Sequence, residues 1–172
     1  MLYAVGPTSA MGLSDPTFGL LLSAGSAGSL LGFLFAERVE RRLGRARSLL
    51  LSIVGGALSL GMPAITANPF LIGAGFLIGG VTIAIWNVIT VSLRQRITPD
   101  RLLGRVNSGY RLLAWGTVPL GAAAGGALAQ FLGLRAVFVI MALLTLVNLV
   151  GMTQVTTKNM NTAERDGDLS RP

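Results

Sequence analysis

The chain reads as long apolar stretches broken by short polar ones. Five runs stand out, at residues 18–35, 48–65, 70–93, 112–133 and 136–152, each 17 to 24 residues long and free of Asp, Glu, Lys and Arg. At 1.5 Å per residue they measure roughly 26 to 36 Å as helices, against a bilayer hydrocarbon core of about 30 Å. No water is available in that layer to satisfy backbone groups, so each run is expected to be α-helical. Polar punctuation separates them. Ser14-Asp15-Pro16 supplies a capping side chain and a first-turn proline. Thr66-Ala67-Asn68-Pro69 is a tight break, and Gly133-Leu134-Arg135 is a short turn. Thr98-Pro99-Asp100 is expected to cap a separate short helix, Arg101 to Ser108, ahead of the fourth run. The pattern divides the chain into residues 1–17, a five-span bundle over 18–152, and a polar tail over 153–172 that is expected to be disordered.

Arginine placement orients the spans. Arg38, Arg41, Arg42, Arg45 and Arg47 lie between the first two runs. Arg94, Arg96, Arg101, Arg105 and Arg111 lie between the third and fourth, and Lys158, Arg165 and Arg171 in the tail. Only Arg135 falls in the alternate set of loops. The excess of basic residues on the cytoplasmic side of membrane proteins places the first three groups, and the C-terminus, inside the cell. The expected location is the cell membrane, inner or plasma, as a multi-pass protein. The start of the chain is then outside. Met1–Leu13 is apolar, interrupted by Pro7, and too short to cross. It reads as the end of a truncated sixth helix, so the chain is expected to be a fragment.

Composition narrows the chemistry. Of the 172 residues, 52% are hydrophobic and 12% charged, about half the charged share of an ordinary soluble domain. The net charge of +7 is stranded between apolar runs, which favours a membrane surface over nucleic acid. His and Cys are absent. That removes the commonest general base and zinc ligand and all thiol chemistry, and no carboxylate lies within a run. No enzyme, metal or cofactor is expected.

The candidate functional residues are therefore neutral. Ser23 and Ser26 lie in the first run; Thr82, Trp86, Asn87 and Thr90 are three or four residues apart in the third; Trp115 and Thr117 stand in the fourth. Such groups in lipid seek a partner helix or a watery cavity, so they are candidates for a cavity wall. Interhelical hydrogen bonding, or an interfacial anchor for Trp86, is the alternative; for Asn148, alone in the fifth run, packing is favoured. Small residues recur at helical spacing: Gly25 and Gly28 in the first run, Gly75 and Gly79 in the third, Gly121 and Gly125 in the fourth. Stripes of this kind let helices approach closely.

The segment from Gly32 to Arg45 carries Glu37 and Arg41, four apart and able to pair along a helical turn, and Glu40, which reaches Arg42 or Arg45 only if the chain turns there. Gly32 followed by Arg41-Arg42-Leu43-Gly44-Arg45, with Glu37 and Arg38 near its acidic and basic positions, resembles the loop signature of the major facilitator superfamily. Leu93 to Ser108 (LRQRITPDRLLGRVNS) and Trp115 to Gly121 (WGTVPLG) resemble more narrowly its drug- and siderophore-efflux branch, with enterobactin-exporter-like and macrolide-efflux-like members.

The resemblance covers Gly12 to Met152 and implies an all-α membrane protein, the C-terminal six-helix bundle of a twelve-helix fold, with the N-terminal half missing. It implies secondary active export of amphipathic small molecules by alternating access, coupled to protons. The first and third runs would line the cavity, the fourth would set its glycine face against the missing half, and the second and fifth would face lipid more. The loop charges would latch the cytoplasmic side. The implied partners are the lipid bilayer, the absent half and the substrate, with no nucleic acid. The competing class is a non-transporting integral membrane protein: a scaffold, a half-transporter subunit or an inactive fragment.

Overall fold

A computed structural model describes residues 15–152 as five α-helices: α1 (Asp15–Leu43), α2 (Arg45–Ile65), α3 (Pro69–Ile97), α4 (Asp100–Leu132) and α5 (Leu134–Met152). All five are long and apolar enough to cross a membrane. The fold is all-α, as the apolar runs require. The expectations for Met1–Leu13 and for the tail from Thr153 fall outside the described residues.

The helices outrun the apolar runs at the arginine-rich ends. The segment after Phe35, expected to be a loop, is helix as far as Leu43. Its residues are good helix formers, and Arg41 pairs with Glu37 at 3.3 Å along one turn. The break comes at Gly44, with φ 78 and ψ 159. That combination is open essentially to glycine alone. One residue thus reverses the chain, and its carbonyl accepts the Ser48 N–H at 3.1 Å to start α2. Gly133 (φ 80, ψ 158) does the same between α4 and α5.

At the opposite end of α2 the break is wider. Asn68 caps α3 by accepting the Phe70 N–H at 2.9 Å, with Pro69 in the first turn. The short helix expected over Arg101–Ser108 is not separate. It is the first part of α4, a single 33-residue helix, because neither Gly109 nor any other residue before Leu112 forces the backbone out of helical geometry.

The packing order is α1 on α3, α3 on α2, α2 on α5, and α5 against α4. The α1–α3 contact is the closest. A Cβ at Gly28 would strike the Leu77 carbonyl, one at Gly32 the Val81 carbonyl, and one at Gly80 the Gly25 carbonyl. Backbone thus lies on backbone, which only glycine permits. Between α2 and α3, Gly55 faces the Thr82 methyl, Gly75 faces Met62 and Gly79 faces Ser59. A core of Ala36, Leu49, Ile85 and Ile89 lies beyond, packed by Val39, Val81 and Trp86.

The resemblance assigned α2 towards lipid. Instead α2 is the most buried span, held between α3 and α5, with Ser48, Leu49, Ser52 and Ile53 inside. Its hydroxyls cost little to bury: Ser48 and Ser52 donate to the Gly44 and Ser48 carbonyls of their own helix, both at 2.9 Å. No position of the apolar window of α4 is buried.

Candidate functional site

A cavity of about 600 Å³ opens between α1, α2, α3 and α5. It exists where small residues meet: Gly25 of α1, Gly56 of α2 and Gly79 of α3 all line it. Its remaining wall is mostly apolar, with Leu22, Ile53, Leu60, Phe76 and Ile83. From α3 the lining positions are 76, 79, 82, 83 and 86, one face of a helix.

The polar groups here are neutral, and most of their donors are already used. Thr82 donates to the Ile78 and Gly79 carbonyls at 3.0 Å, and Thr145 to the Met141 carbonyl at 2.8 Å. Ser52 is tied to its own helix, and Asn148 donates from Nδ2 to the Leu144 carbonyl at 3.1 Å. The hydroxyl oxygens and the Asn148 carbonyl keep acceptor capacity. The Ser59 hydroxyl and the Trp86 indole N–H, with no hydrogen bond among the described residues, add two donors. No ionisable side chain lines the cavity. The site offers apolar surface, one aromatic ring and scattered neutral hydrogen-bonding atoms. It can hold a molecule with a greasy body and a few polar groups, but it has no proton-transfer group and no metal ligand set. Among the described residues there is no cluster of three His, Cys, Asp or Glu side chains.

Of the sequence candidates, Thr82 and Trp86 line this cavity, together with Gly25 and Gly79. Asn87 is exposed, about 100° around α3 from Trp86, and Thr90 spends its hydroxyl on the Trp86 carbonyl at 2.7 Å. Ser23 and Ser26 are exposed and donate to the Gly19 and Leu22 carbonyls. Trp115 (72% exposed) and Thr117 stand on the open surface of α4. Gly28 and Gly75 serve helix contacts, whereas Gly121 and Gly125 meet nothing within 4 Å.

Sequence reasoning missed Ser52, Ser59 and Thr145 and favoured packing for Asn148, all of which line the cavity. The serines of α2 were findable: Ser48, Ser52, Gly55 and Ser59 recur at i, i+4, i+7 and i+11, one polar, small-residue stripe on an apolar helix.

At the arginine-rich end, the loop motif splits into two kinds of pair. Glu37–Arg41 is an open surface pair, its side chains 77% and 67% exposed. Glu40 and Arg45 meet at 2.7 Å across the Gly44 turn and are largely buried, at 23% and 16%. Arg38 sits 5.8 Å from the Phe35 ring, Arg42 is exposed, and Gly32 is buried against α3. The α3–α4 corner is built differently. Arg94 stacks 3.8 Å over the Tyr110 ring and donates from Nη1 to Asn107 Oδ1 at 3.3 Å. Asn107 lies in the 93–108 segment that carries the family resemblance, but its contact with Arg94, and Tyr110 altogether, were not foreseen, because a contact across a turn leaves no periodic signal.

Comparison with curated proteins and with solved structures gives no match. A family model does match, over residues 1–167, nearly the whole chain. With five bilayer-length helices joined by short turns, the chain is a multi-pass membrane protein that belongs to the Major Facilitator Superfamily, a family of membrane transporters.

Proposed function

We propose that the chain is the C-terminal bundle of a secondary active exporter of amphipathic small molecules, driven by a proton gradient and working with a second, N-terminal bundle in the cell membrane. The observation that carries the reading is the cavity between α1, α2, α3 and α5. Its neutral, mostly apolar wall with Thr82, Trp86 and Asn148 suits a substrate that is mainly hydrophobic with a few polar atoms. A wall without carboxylates means that proton coupling is assigned to the other bundle. In alternating access the two bundles rock about a midplane site. The arginine-rich ends, including the C-terminus, face the cytoplasm by the distribution of basic residues. There Glu37, Arg38, Arg41, Arg42 and Arg45 latch the closed inner side.

The test is dye efflux from cells that express the chain together with its N-terminal bundle, with and without a protonophore. Efflux that stops with the protonophore is expected, and Thr82→Val or Trp86→Ala should change the ranking of dyes. Replacing Arg41 and Arg42 together by Ala should slow efflux without lowering the protein in the membrane. A chain that reaches the membrane and moves no dye in either condition would make it a scaffold or an inactive piece.

A further inference from the structure

The cavity is graded along its length, and helix contacts supply the depth scale. Helices α1 and α3 end in basic turns, with Arg41 and Arg42 on one and Arg94 and Arg96 on the other, so both run towards the arginine-rich side. Helix α2 starts there and runs back, antiparallel to α3: Met62 lies beside Gly75, Ser59 beside Gly79 and Gly55 beside Thr82. It is antiparallel to α5 as well, with Gly61 beside Ala142 and Gly56 beside Thr145. About one turn further towards the arginines, Ser52, Trp86 and Asn148 share a level. At the other end Phe76 lies beside Gly25, and Leu22 is about one turn beyond it. From Phe76 to Trp86 is roughly 15 Å of helix.

Polar groups gather at the arginine-rich end. Thr82 and Thr145 lie midway, and Ser52, Trp86 and Asn148 lie beyond them, with Ile53 and Ile83 completing that wall. The far end is Leu22, Leu60 and Phe76, with Ser59 as its polar group. What the polar end has to give is hydrogen-bond donation. The Trp86 indole N–H is a donor only, and it has no hydrogen bond among the described residues. Asn148 spends one Nδ2 proton on the Leu144 carbonyl and keeps the other. The Ser52, Thr82 and Thr145 hydroxyl protons are committed to carbonyls of their own helices. No lining carboxylate answers a cation and no lining basic group answers an anion, so a charged head would be buried at a cost. The Trp86 ring packs against the core of Ala36, Leu49, Ile85 and Ile89, so its N–H is held in direction before a ligand arrives.

We propose that Trp86 and Asn148 are the specificity-determining residues of the cavity: they receive an uncharged hydrogen-bond acceptor of the substrate, a carbonyl-type oxygen of an amide, ester or ketone, at the arginine-rich end, while its apolar body extends towards Leu22, Leu60 and Phe76. This rests on the reading of the cavity as the substrate site and adds the substrate's polar group, its charge and its direction.

The experiment is equilibrium dialysis of two radiolabelled probes against the purified full chain in detergent, with empty micelles as the blank. The probes are N-dodecylpyrrolidone, a neutral lactam, and dodecyltrimethylammonium, a cation with the same tail. The lactam is expected to bind about tenfold more tightly or better. Trp86→Phe, which keeps a ring and removes the N–H, and Asn148→Leu should each weaken lactam binding about fivefold. Trp115→Phe, on the open surface of α4, should leave it unchanged. Helix content from circular dichroism accompanies each variant. Equal binding of the two probes by the unaltered chain, or tighter binding of the cation, would overturn the proposal without recourse to any variant. A larger loss from Ser59→Ala than from Trp86→Phe would overturn it too, by putting the acceptor at the far end. Binding is measured without efflux, so the two readings fail separately: dye efflux together with equal probe binding removes this proposal alone, and no binding of either probe above the blank removes the cavity reading with it.

Discussion

Helices α1 and α4 carry similar sequence features and have opposite surroundings. Both are long, 29 and 33 residues, and both have small residues at helical spacing. In α1, Gly25, Gly28 and Gly32 lie against α3 so closely that side-chain atoms would collide with backbone at Gly28 and Gly32. In α4, Gly104, Gly109, Gly116, Gly121, Gly125 and Gly126 meet nothing within 4 Å. A stripe of small residues therefore states that a helix can be approached, not that it is. What distinguishes α1 is the complementary stripe on α3, where Gly80 receives the Gly25 carbonyl in return.

The sharpest way to break this comparison is to put one large side chain into each stripe. Gly28→Leu should cost about 3 kcal/mol or more, because the obstruction is the Leu77 backbone and not a side chain that can turn away. Gly121→Leu should leave the melting temperature of the same purified chain unchanged. Detergent-phase thermal melts of both variants check this; a large loss from Gly121→Leu would show that α4 is covered. Next comes Gly44→Ala. At φ 78 and ψ 159 the added Cβ is strained, so a loss of about 1–3 kcal/mol is expected, without change in helix content until unfolding begins.

The two ion pairs around that turn rank below it and refine the contrast between buried and open contacts. Glu40→Gln leaves the largely buried Arg45 guanidinium without its carboxylate and should cost ~1–2 kcal/mol, between the surface and fully buried cases. Glu37→Gln removes a pair with both side chains more than two-thirds exposed, and its effect should not be measurable. Chemical denaturation of the two single variants tests the order. Equal losses would mean that burial does not separate the pairs.

Five spans, their order and the ends that carry the arginines were legible in the sequence, because bilayer thickness and the cost of a charge in hydrocarbon act on each segment by itself. Turn chemistry was legible where it is local: Asn68-Pro69 caps a helix as its residue types require. The same reasoning made a loop of residues 36–43 because charge there looked like solvent exposure. Those residues are helix nonetheless, since a helix end can project beyond the hydrocarbon into water.

The candidate site was only partly legible. Thr82 and Trp86 were found by spacing along one helix, and that same spacing brought in Asn87, which is turned away to the exposed side, and Thr90, which lies one turn beyond the cavity. Ser52, Ser59, Thr145 and Asn148 come from helices that meet α3 only in three dimensions. Sequence determined which segments are long and apolar enough to cross a membrane, the breaks at Asn68-Pro69 and Gly133, and which side chains are neutral, since these follow from one residue and its near neighbours. Which glycine stripe is filled, that α2 and not α1 is the central helix, and that Arg94 rests on Tyr110 were decided by tertiary packing. Those outcomes depend on pairs of surfaces from distant parts of the chain fitting within a fraction of an ångström.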